Sequence, residues 1–268
     1  MTLYALEGFL ARLATTKHRD AFVLKGGLLL AALDVRRPTR DIDVQALDFD
    51  NDLDHVVDVV RAVVAVELED GVRYDPDSVS AVQIREDDDY HGVRVAVDAT
   101  LVTAQLKLKL DINVGDPITP DPITVDVPRI LDDDPITMLG VPTTMQLAEK
   151  IVTAVQRGTT NTRWRDFADV VLIAQRHDID GDDLARSVQA VAGHRGANLR
   201  PLAEVLDGFA DQAQGRWRTW VRKWQLDDRV PEHFGEVLER VQAFADPALN
   251  DRVGGYGWQA AAQVWQPR

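Results

Sequence analysis

Phe22-Val23-Leu24-Lys25-Gly26-Gly27-Leu28-Leu29-Leu30-Ala31-Ala32-Leu33, followed by Thr39-Arg40-Asp41-Ile42-Asp43-Val44, reads as a strand, a Gly-Gly turn, a short apolar helix, a connection and a second strand. Two adjacent glycines at a strand-to-helix turn let backbone approach a ligand closely and leave N–H groups pointing outward, which suits an anion such as a triphosphate. Asp41 and Asp43 stand two apart in the second strand. Both carboxylates therefore project from one face, with Cα atoms about 6.5–7 Å apart. Carboxylates so placed can share divalent cations, and hard oxygen ligands select Mg²⁺ or Mn²⁺. A second D-x-D, Asp48-Phe49-Asp50, is followed by Asn51-Asp52 and an apolar-periodic run, and reads as a loop and helix N-cap.

A two-metal site usually needs a third carboxylate. In Leu106-Lys107-Leu108-Lys109-Leu110-Asp111-Ile112-Asn113-Val114, strict alternation puts the apolar residues on one face and Lys107, Lys109, Asp111 and Asn113 on the other. Asp111 is favoured as the third metal ligand because it lies mid-strand beside two lysines able to neutralise phosphate charge. Asp98, at the end of the run Gly92–Val97, is the competitor, but it opens a turn-like Asp-Ala-Thr. Further along, Ala148-Glu149-Lys150 lies on an amphipathic helix, and Arg163, Asp166 and Asp169 recur at i, i+3, i+6 on roughly one face of the next.

The 268 residues, 45% hydrophobic and 28% charged, fit one large or two modest globular domains. A formal charge of −14 argues against broad adhesion to nucleic acid or anionic membrane, while leaving room for a local basic cleft. With 0 Cys there is no disulfide framework, no thiolate zinc site and no thiol nucleophile. Neither a secretory leader pattern nor a membrane-length apolar run is visible, so the expectation is a cytoplasmic protein without a membrane partner. The scattered histidines disfavour a zinc hydrolase, and the acidic runs Glu86-Asp87-Asp88-Asp89 and Asp132-Asp133-Asp134 read as solvated loops.

The pattern changes character near Pro142. Before it, strand-like runs (21–24, 41–45, 92–97, 106–114) mix with helical ones (28–33, 53–66), as in an α/β or α+β domain. After it, nearly every segment has helical spacing: 144–157, 163–176, a run opened by Asp182 or Asp183, another from Leu202, and 232–244. The expected division is residues 1–140 and a helical domain over 141–268.

Lys25-Gly26-Gly27, Thr39-Arg40-Asp41-Ile42-Asp43, Lys109-Leu110-Asp111-Ile112, Ala148-Glu149-Lys150 and Arg165-Asp166-Phe167-Ala168-Asp169 follow the order and approximate spacing of the AbiEii/MenT family, which this chain resembles over roughly residues 20–176. The members are nucleotidyltransferase-like toxins of type IV toxin–antitoxin systems. The resemblance implies an α+β fold with a polymerase β-like nucleotidyltransferase core and a helical C-terminal domain. It also implies transfer of a nucleotide from an NTP to an acceptor, the tRNA 3′ end in relatives, and a partner antitoxin of the AbiEi type. Carried over, Gly26 and Gly27 match the G-[GS] turn, with Gly27 where many such enzymes have Ser. Asp41 and Asp43 match the metal-binding D-x-D, Lys150 the family lysine as a phosphate ligand, and Asp166 the late catalytic aspartate, with Asp169 a second reading of that motif. Lys25, Arg40 and Lys109 are candidate triphosphate contacts.

Two rivals remain at this stage. One is a nucleotidyltransferase of the same fold acting on a cationic small molecule such as an aminoglycoside, which the charge of −14 would attract. The other is a non-catalytic nucleotide-binding module, against which the intact Asp41, Asp43, Asp111, Lys150 and Asp166 argue. In Arg216-Trp217-Arg218-Thr219-Trp220-Val221-Arg222-Lys223-Trp224 the aromatic residues fall at i, i+3, i+7, which predicts a buried stripe with Arg218 and Arg222 on its flank available to RNA phosphate.

Overall fold

The computed structural model describes residues 1–47, 52–86 and 90–268, so the Asp48-Phe49-Asp50 motif and residues 87–89 of the first acidic run lie outside the described residues. The chain divides into two compact units, Met1–Asp116 with Pro122–Val141, and Pro117–Asp121 with Pro142–Arg268. The first contains α1 (Thr2–Thr15), β1 (Phe22–Lys25), α2 (Gly26–Ala32), β2 (Ile42–Ala46), α3 (Leu53–Val64), β3 (Val72–Tyr74), β4 (Ser80–Glu86), β5 (Tyr90–Leu101), β6 (Ala104–Val114), β7 (Ile123–Val127) and β8 (Ile136–Gly140). The second contains α4 (Thr143–Arg157), α5 (Trp164–Ala174), β9 (Ile179–Asp180), α6 (Gly181–His194), α7 (Leu202–Val205), α8 (Phe209–Trp224), α9 (Phe234–Leu249), β10 (Tyr256–Gln259) and β11 (Val264–Pro267).

Among the described residues the first unit's strands form one mixed sheet in the order β3-β5-β6-β2-β1-β8-β7, with β4 also paired to β5. The β2–β6 and β1–β8 pairs are parallel and the others antiparallel. Alternation dictates the faces. Val44, Val93, Val95, Val97, Leu108, Leu110 and Ile112 are buried, while Asp41, Asp43, Arg94, Lys109 and Asp111, at the alternate positions, keep some exposure. Helix α3 presents Val56, Val59, Val60, Val63 and Val64 as its buried stripe, and the Asp52 carboxylate caps it by accepting from the Asp54 N–H at 3.0 Å.

A buried ion pair ties α1 to the end of the sheet. Arg12, 2% exposed in its side chain, donates to both carboxylate oxygens of Asp70 and to the carbonyls of Gly8, Val66 and Val72. Burial alone would raise the Asp70 carboxyl, but hydrogen bonds from Arg12 and the Val72 N–H, together with the guanidinium charge, hold it below the ordinary 3.8. Burial pushes the adjacent Tyr74 hydroxyl up, and that hydroxyl donates to the Ala5 carbonyl at 2.6 Å.

The second unit is not purely helical. Strands β9, β10 and β11 form a three-stranded antiparallel sheet in the order β11-β10-β9, a feature the helical expectation for 141–268 did not contain. Its reason is apolar burial: Trp258 is 2% exposed, lies edge-on to Phe244 at 5.0 Å and donates to the Ala174 carbonyl. A second aromatic cluster joins Trp164, Phe167, Phe209, Phe234 and Trp217, with ring centroids 5.2–6.2 Å apart. Trp217 is fully buried and donates to the Pro231 carbonyl, so the stripe expected in 216–224 is core at this position. Trp220 stacks on it at 5.4 Å and is half-buried, and Arg216, Arg218, Arg222 and Lys223 are exposed. Among the described residues no helix is long and apolar enough to cross a membrane.

Replacing Arg12 by Met leaves Asp70 without its buried cation and is expected to cost about 3–5 kcal/mol in urea unfolding. The folded-state Asp70 carboxyl is depressed, so the pair's stabilisation is complete above the unfolded value of 3.8 and is lost as pH falls through the lower folded value. The stability gap between the wild type and Asp70→Asn should accordingly be largest near neutral pH and shrink in acid, as followed by urea midpoints along a pH series.

Candidate active site

Register, rather than chain proximity, assembles the polar face of the first unit. Lys25 on β1 pairs with Asp43 on β2, Asp43 with Asp111 on β6, and Asp111 with Arg94 on β5. Cross-strand partners share a face, so four charged residues form one row in the order cation, anion, anion, cation. At its outer end Arg94 grips Asp111 with Nε to Oδ1 and Nη2 to Oδ2, both at 2.7 Å. At the other end the Lys25 Nζ lies 3.8 Å from Asp116 Oδ2, both side chains being under a tenth exposed. Lys25, expected as a triphosphate contact, is thus buried within the charge balance of the sheet.

The Gly-Gly turn meets the D-x-D strand directly. Gly26 has φ +65, and a Cβ built on it would stand 2.1 Å from Asp43 Oδ2. A Cβ on Gly27 would stand 2.6 Å from Thr39 Oγ1. On the side where a Cβ would stand, the space at these glycines is taken by Asp43 and Thr39, and the turn brings the two halves of the motif together. A serine at position 27 would collide with Thr39. The Thr39 hydroxyl instead donates to Asp41 Oδ1 at 3.1 Å, fixing the first carboxylate of the motif. Arg40 is exposed beside it.

Lys109, two residues before Asp111 on the same face of β6, is exposed. Asp98, the alternative third carboxylate, pairs instead with Lys107 at 3.3 Å, both well exposed. Among the described residues no three His, Asp or Glu side chains stand close enough to hold a metal together. Asp111 meets Arg94 rather than completing such a trio with Asp41 and Asp43. Asp43 on β2 and Asp41, the residue before that strand, are partly exposed carboxylates of the donor type that a hard divalent cation takes, and Asp43 fills a cradle that any side chain at Gly26 would occupy.

The second unit holds its own charged cluster. Lys150 on α4 places Nζ 2.8 Å from Asp169 Oδ2 and 3.6 Å from Asp166 Oδ1, both on α5. Arg163, at the N-cap of α5, donates from Nε to Asp166 Oδ2 at 2.6 Å, and its own N–H is held by Asn161 Oδ1 at 2.8 Å. The i, i+3 spacing that drew attention to Asp166 and Asp169 does place them on one face, but with different surroundings. Asp169 is fully buried, so it holds Lys150 and offers no surface to a nucleotide. Asp166 is nearly buried, at 5% side-chain exposure, between two cations.

Sequence reasoning passed over Arg94, Thr39, Asn161 and Asp116. Thr39 and Asn161 carry no period of their own. Arg94 does, alternating with Val93 and Val95, but only the β5–β6 register aligns it with Asp111.

Lys150→Met removes the ammonium from a fully buried carboxylate and should lower the unfolding free energy by about 3–5 kcal/mol. Lys150→Arg should lose less, and a Lys150→Met protein as stable as the wild type in urea would refute the anchoring role given to Asp169. Gly26→Ala forces a non-glycine residue into positive φ, costing about 1–2 kcal/mol, and pushes on the Asp43 carboxylate besides. A lowered thermal midpoint is expected for it.

No curated protein matches the chain by sequence. Among solved structures, JHP933 from Helicobacter pylori is 16% identical with a TM-score of 0.50, covering 92% of this chain and 90% of that one. A second Helicobacter pylori structure, a provisionally assigned nucleotidyltransferase, is 15% identical with a TM-score of 0.51, covering 92% of each chain. Likeness at these identities is likeness of fold. The family comparison goes further: the model of the nucleotidyl transferase AbiEii toxin, type IV toxin–antitoxin system, matches residues 8–240. Membership carries nucleotidyltransferase activity, a nucleotide substrate and an antitoxin partner. With a D-x-D strand packed on a Gly-Gly turn and a match spanning most of its length, the chain belongs to the AbiEii family of nucleotidyltransferase toxins.

Proposed function

We propose that this chain is a toxin that transfers a nucleotide from an NTP to the 3′ end of tRNA in the cytoplasm, on a polymerase β-like core in its first unit, and that an AbiEi-type antitoxin restrains it. The observation that carries this reading is the seating of Asp43 against Gly26, with Asp41, just before the strand, fixed by Thr39. Asp41 and Asp43 would hold Mg²⁺, with Asp111 beside them on the next strand as the third carboxylate. When bound, the metal supplies charge stabilisation to the phosphates and lowers the barrier to attack by an acceptor hydroxyl.

The protein's own residues position and neutralise. Arg40 and Lys109 are exposed on or beside the polar face and are the triphosphate contacts of choice, whereas Lys25 is buried, cross-strand from Asp43 and paired with Asp116. Transfer breaks the bond between the α- and β-phosphates and joins the α-phosphate to the acceptor oxygen, releasing pyrophosphate. The acceptor's proton passes to a carboxylate of this face or to solvent. Few covalent roles are left to the chain, so orientation and fixed charge account for most of the rate. Within the second unit Lys150 stands at the position of the family's phosphate-binding lysine and Asp166 at that of its late catalytic aspartate, and the buried Asp169 holds the lysine.

The test is incubation of the purified protein with Mg²⁺, each NTP labelled at the α-phosphate in turn, and total bacterial tRNA, read on a denaturing gel. Label is expected on tRNA with one preferred NTP. It should fall by at least about 10³-fold in Asp41→Ala and Asp43→Ala, since metal stabilisation of the transition state amounts to several kcal/mol. Undiminished labelling by either folded variant overturns the assignment. Label absent from tRNA but present on an aminoglycoside, the acceptor that a charge of −14 would draw in, replaces the acceptor while keeping the chemistry.

A further inference from the structure

In the row Lys25, Asp43, Asp111, Arg94, the two carboxylates are direct cross-strand partners on neighbouring parallel strands. Adjacent strands lie about 4.8 Å apart, and like charges placed directly opposite one another repel. Something must compensate. On the Asp111 side it is Arg94, whose guanidinium engages both carboxylate oxygens at 2.7 Å in a fork-to-fork pair. Each oxygen keeps a further lone pair, so the guanidinium opposes a metal at Asp111 through its charge and by fixing the carboxylate's orientation. Arg94 is 39% exposed and Asp111 16% exposed, so the pair sits at the edge of the solvated face and can open without unpacking the core.

We propose that Arg94 is a positioning residue that holds Asp111 in the metal-free protein and surrenders it when a divalent cation binds the Asp41–Asp43 face, so that guanidinium and metal compete for one carboxylate. The inference rests on the reading of that face as a metal site, and it adds a residue and a regulation to it. It accounts for an otherwise puzzling arrangement, in which the alternation of β6 delivers Asp111 to the correct face and register, yet no three carboxylates are assembled there among the described residues. Arg94 draws the third one towards β5. The two ends of the row differ in this respect. Lys25 is buried and stays with Asp116, whereas the half-exposed Arg94 has solvent to move into.

Competition predicts that metal affinity rises when the guanidinium is removed. Titration of Mg²⁺ into nucleotide-free protein by calorimetry, alongside thermal midpoints with and without Mg²⁺, should show Arg94→Met binding about tenfold tighter than the wild type, since an opposing cation no longer has to be displaced. Without Mg²⁺ the Arg94→Met midpoint should fall, because Asp111 then faces Asp43 without its own cation, and saturating Mg²⁺ should restore it. Arg94→Lys keeps the charge and loses the fork, so it should lie between the two in affinity, and it serves if Arg94→Met does not fold. Adding Asp111→Asn to either variant should abolish the gain.

Unchanged Mg²⁺ affinity in both Arg94 variants, or a midpoint loss that Mg²⁺ does not repair, makes Arg94 merely structural and overturns the proposal. If Mg²⁺ binding is lost in Asp41→Ala but indifferent to Arg94, this inference alone falls. A wild-type protein that binds no Mg²⁺ and labels no acceptor removes the metal-site reading and the inference together.

Discussion

Two aspartates on neighbouring strands repel, and the polar face of the first unit is organised around containing that repulsion. Asp43 and Asp111 are brought opposite each other by the parallel β2–β6 register, which the apolar residues on the reverse face enforce: shifting it by one position would bury Asp111 and expose Ile112. The core therefore fixes the electrostatic problem, and flanking cations on β1 and β5 offset it. On the metal reading proposed above, structural neutrality and catalytic readiness are opposed, because a cation that quiets a carboxylate in the resting protein would also compete with the metal. The second unit resolves the same conflict differently. Its Lys150, Arg163, Asp166 and Asp169 cluster balances charge internally, and the residue that anchors it, Asp169, has no surface at all.

The glycine pair belongs to the same economy of space. A Cβ at position 26 or 27 would strike Asp43 or Thr39, so the strand-to-helix turn and the strand carrying Asp43 are in contact only because both residues lack one. Thr39 then fills with a hydroxyl the volume a serine at position 27 would have claimed, and uses it to hold Asp41. A hydroxyl missing from the turn thus reappears from across the contact, serving the carboxylate.

Much of this was legible from residues alone. The strands at Asp43 and Asp111, the helix expected over 53–66 and found over Leu53–Val64 with its Asp52 cap, and the helices carrying Lys150 and Asp166 all follow from period and capping. The pairing of Arg94 with Asp111 was not legible, and the reason lies in the turn joining β5 to β6. Leu101 pairs with Ala104, leaving a two-residue loop of Val102 and Thr103 with Val102 at φ +56. Such loops are announced by Asn-Gly or Asp-Gly, and a β-branched residue at positive φ announces nothing. Without the turn there is no register, and without the register Arg94 is one exposed arginine among many. The small sheet of β9, β10 and β11 escaped for a related reason: strands of 2–4 residues are too short for alternation to show, and only Trp258 and Trp265 packing on Phe244 define their place.

The charge of −14 sits awkwardly with the polyanionic acceptor proposed above until its distribution is considered. Exposed charges are screened beyond about 8 Å at physiological salt, so an incoming phosphate responds to the side chains near it and hardly to the chain total. Part of the acidic excess lies in solvated segments such as Asp132-Asp133-Asp134, and part is consumed internally, as at Asp70, Asp111, Asp166 and Asp169. Exposed cations meanwhile gather locally, Lys107 and Lys109 along one face of β6 and Arg216, Arg218, Arg222 and Lys223 along α8. Net acidity then works as a filter. It disfavours broad adhesion to polyanions, while an individual phosphate meets the side chains near it rather than the chain total.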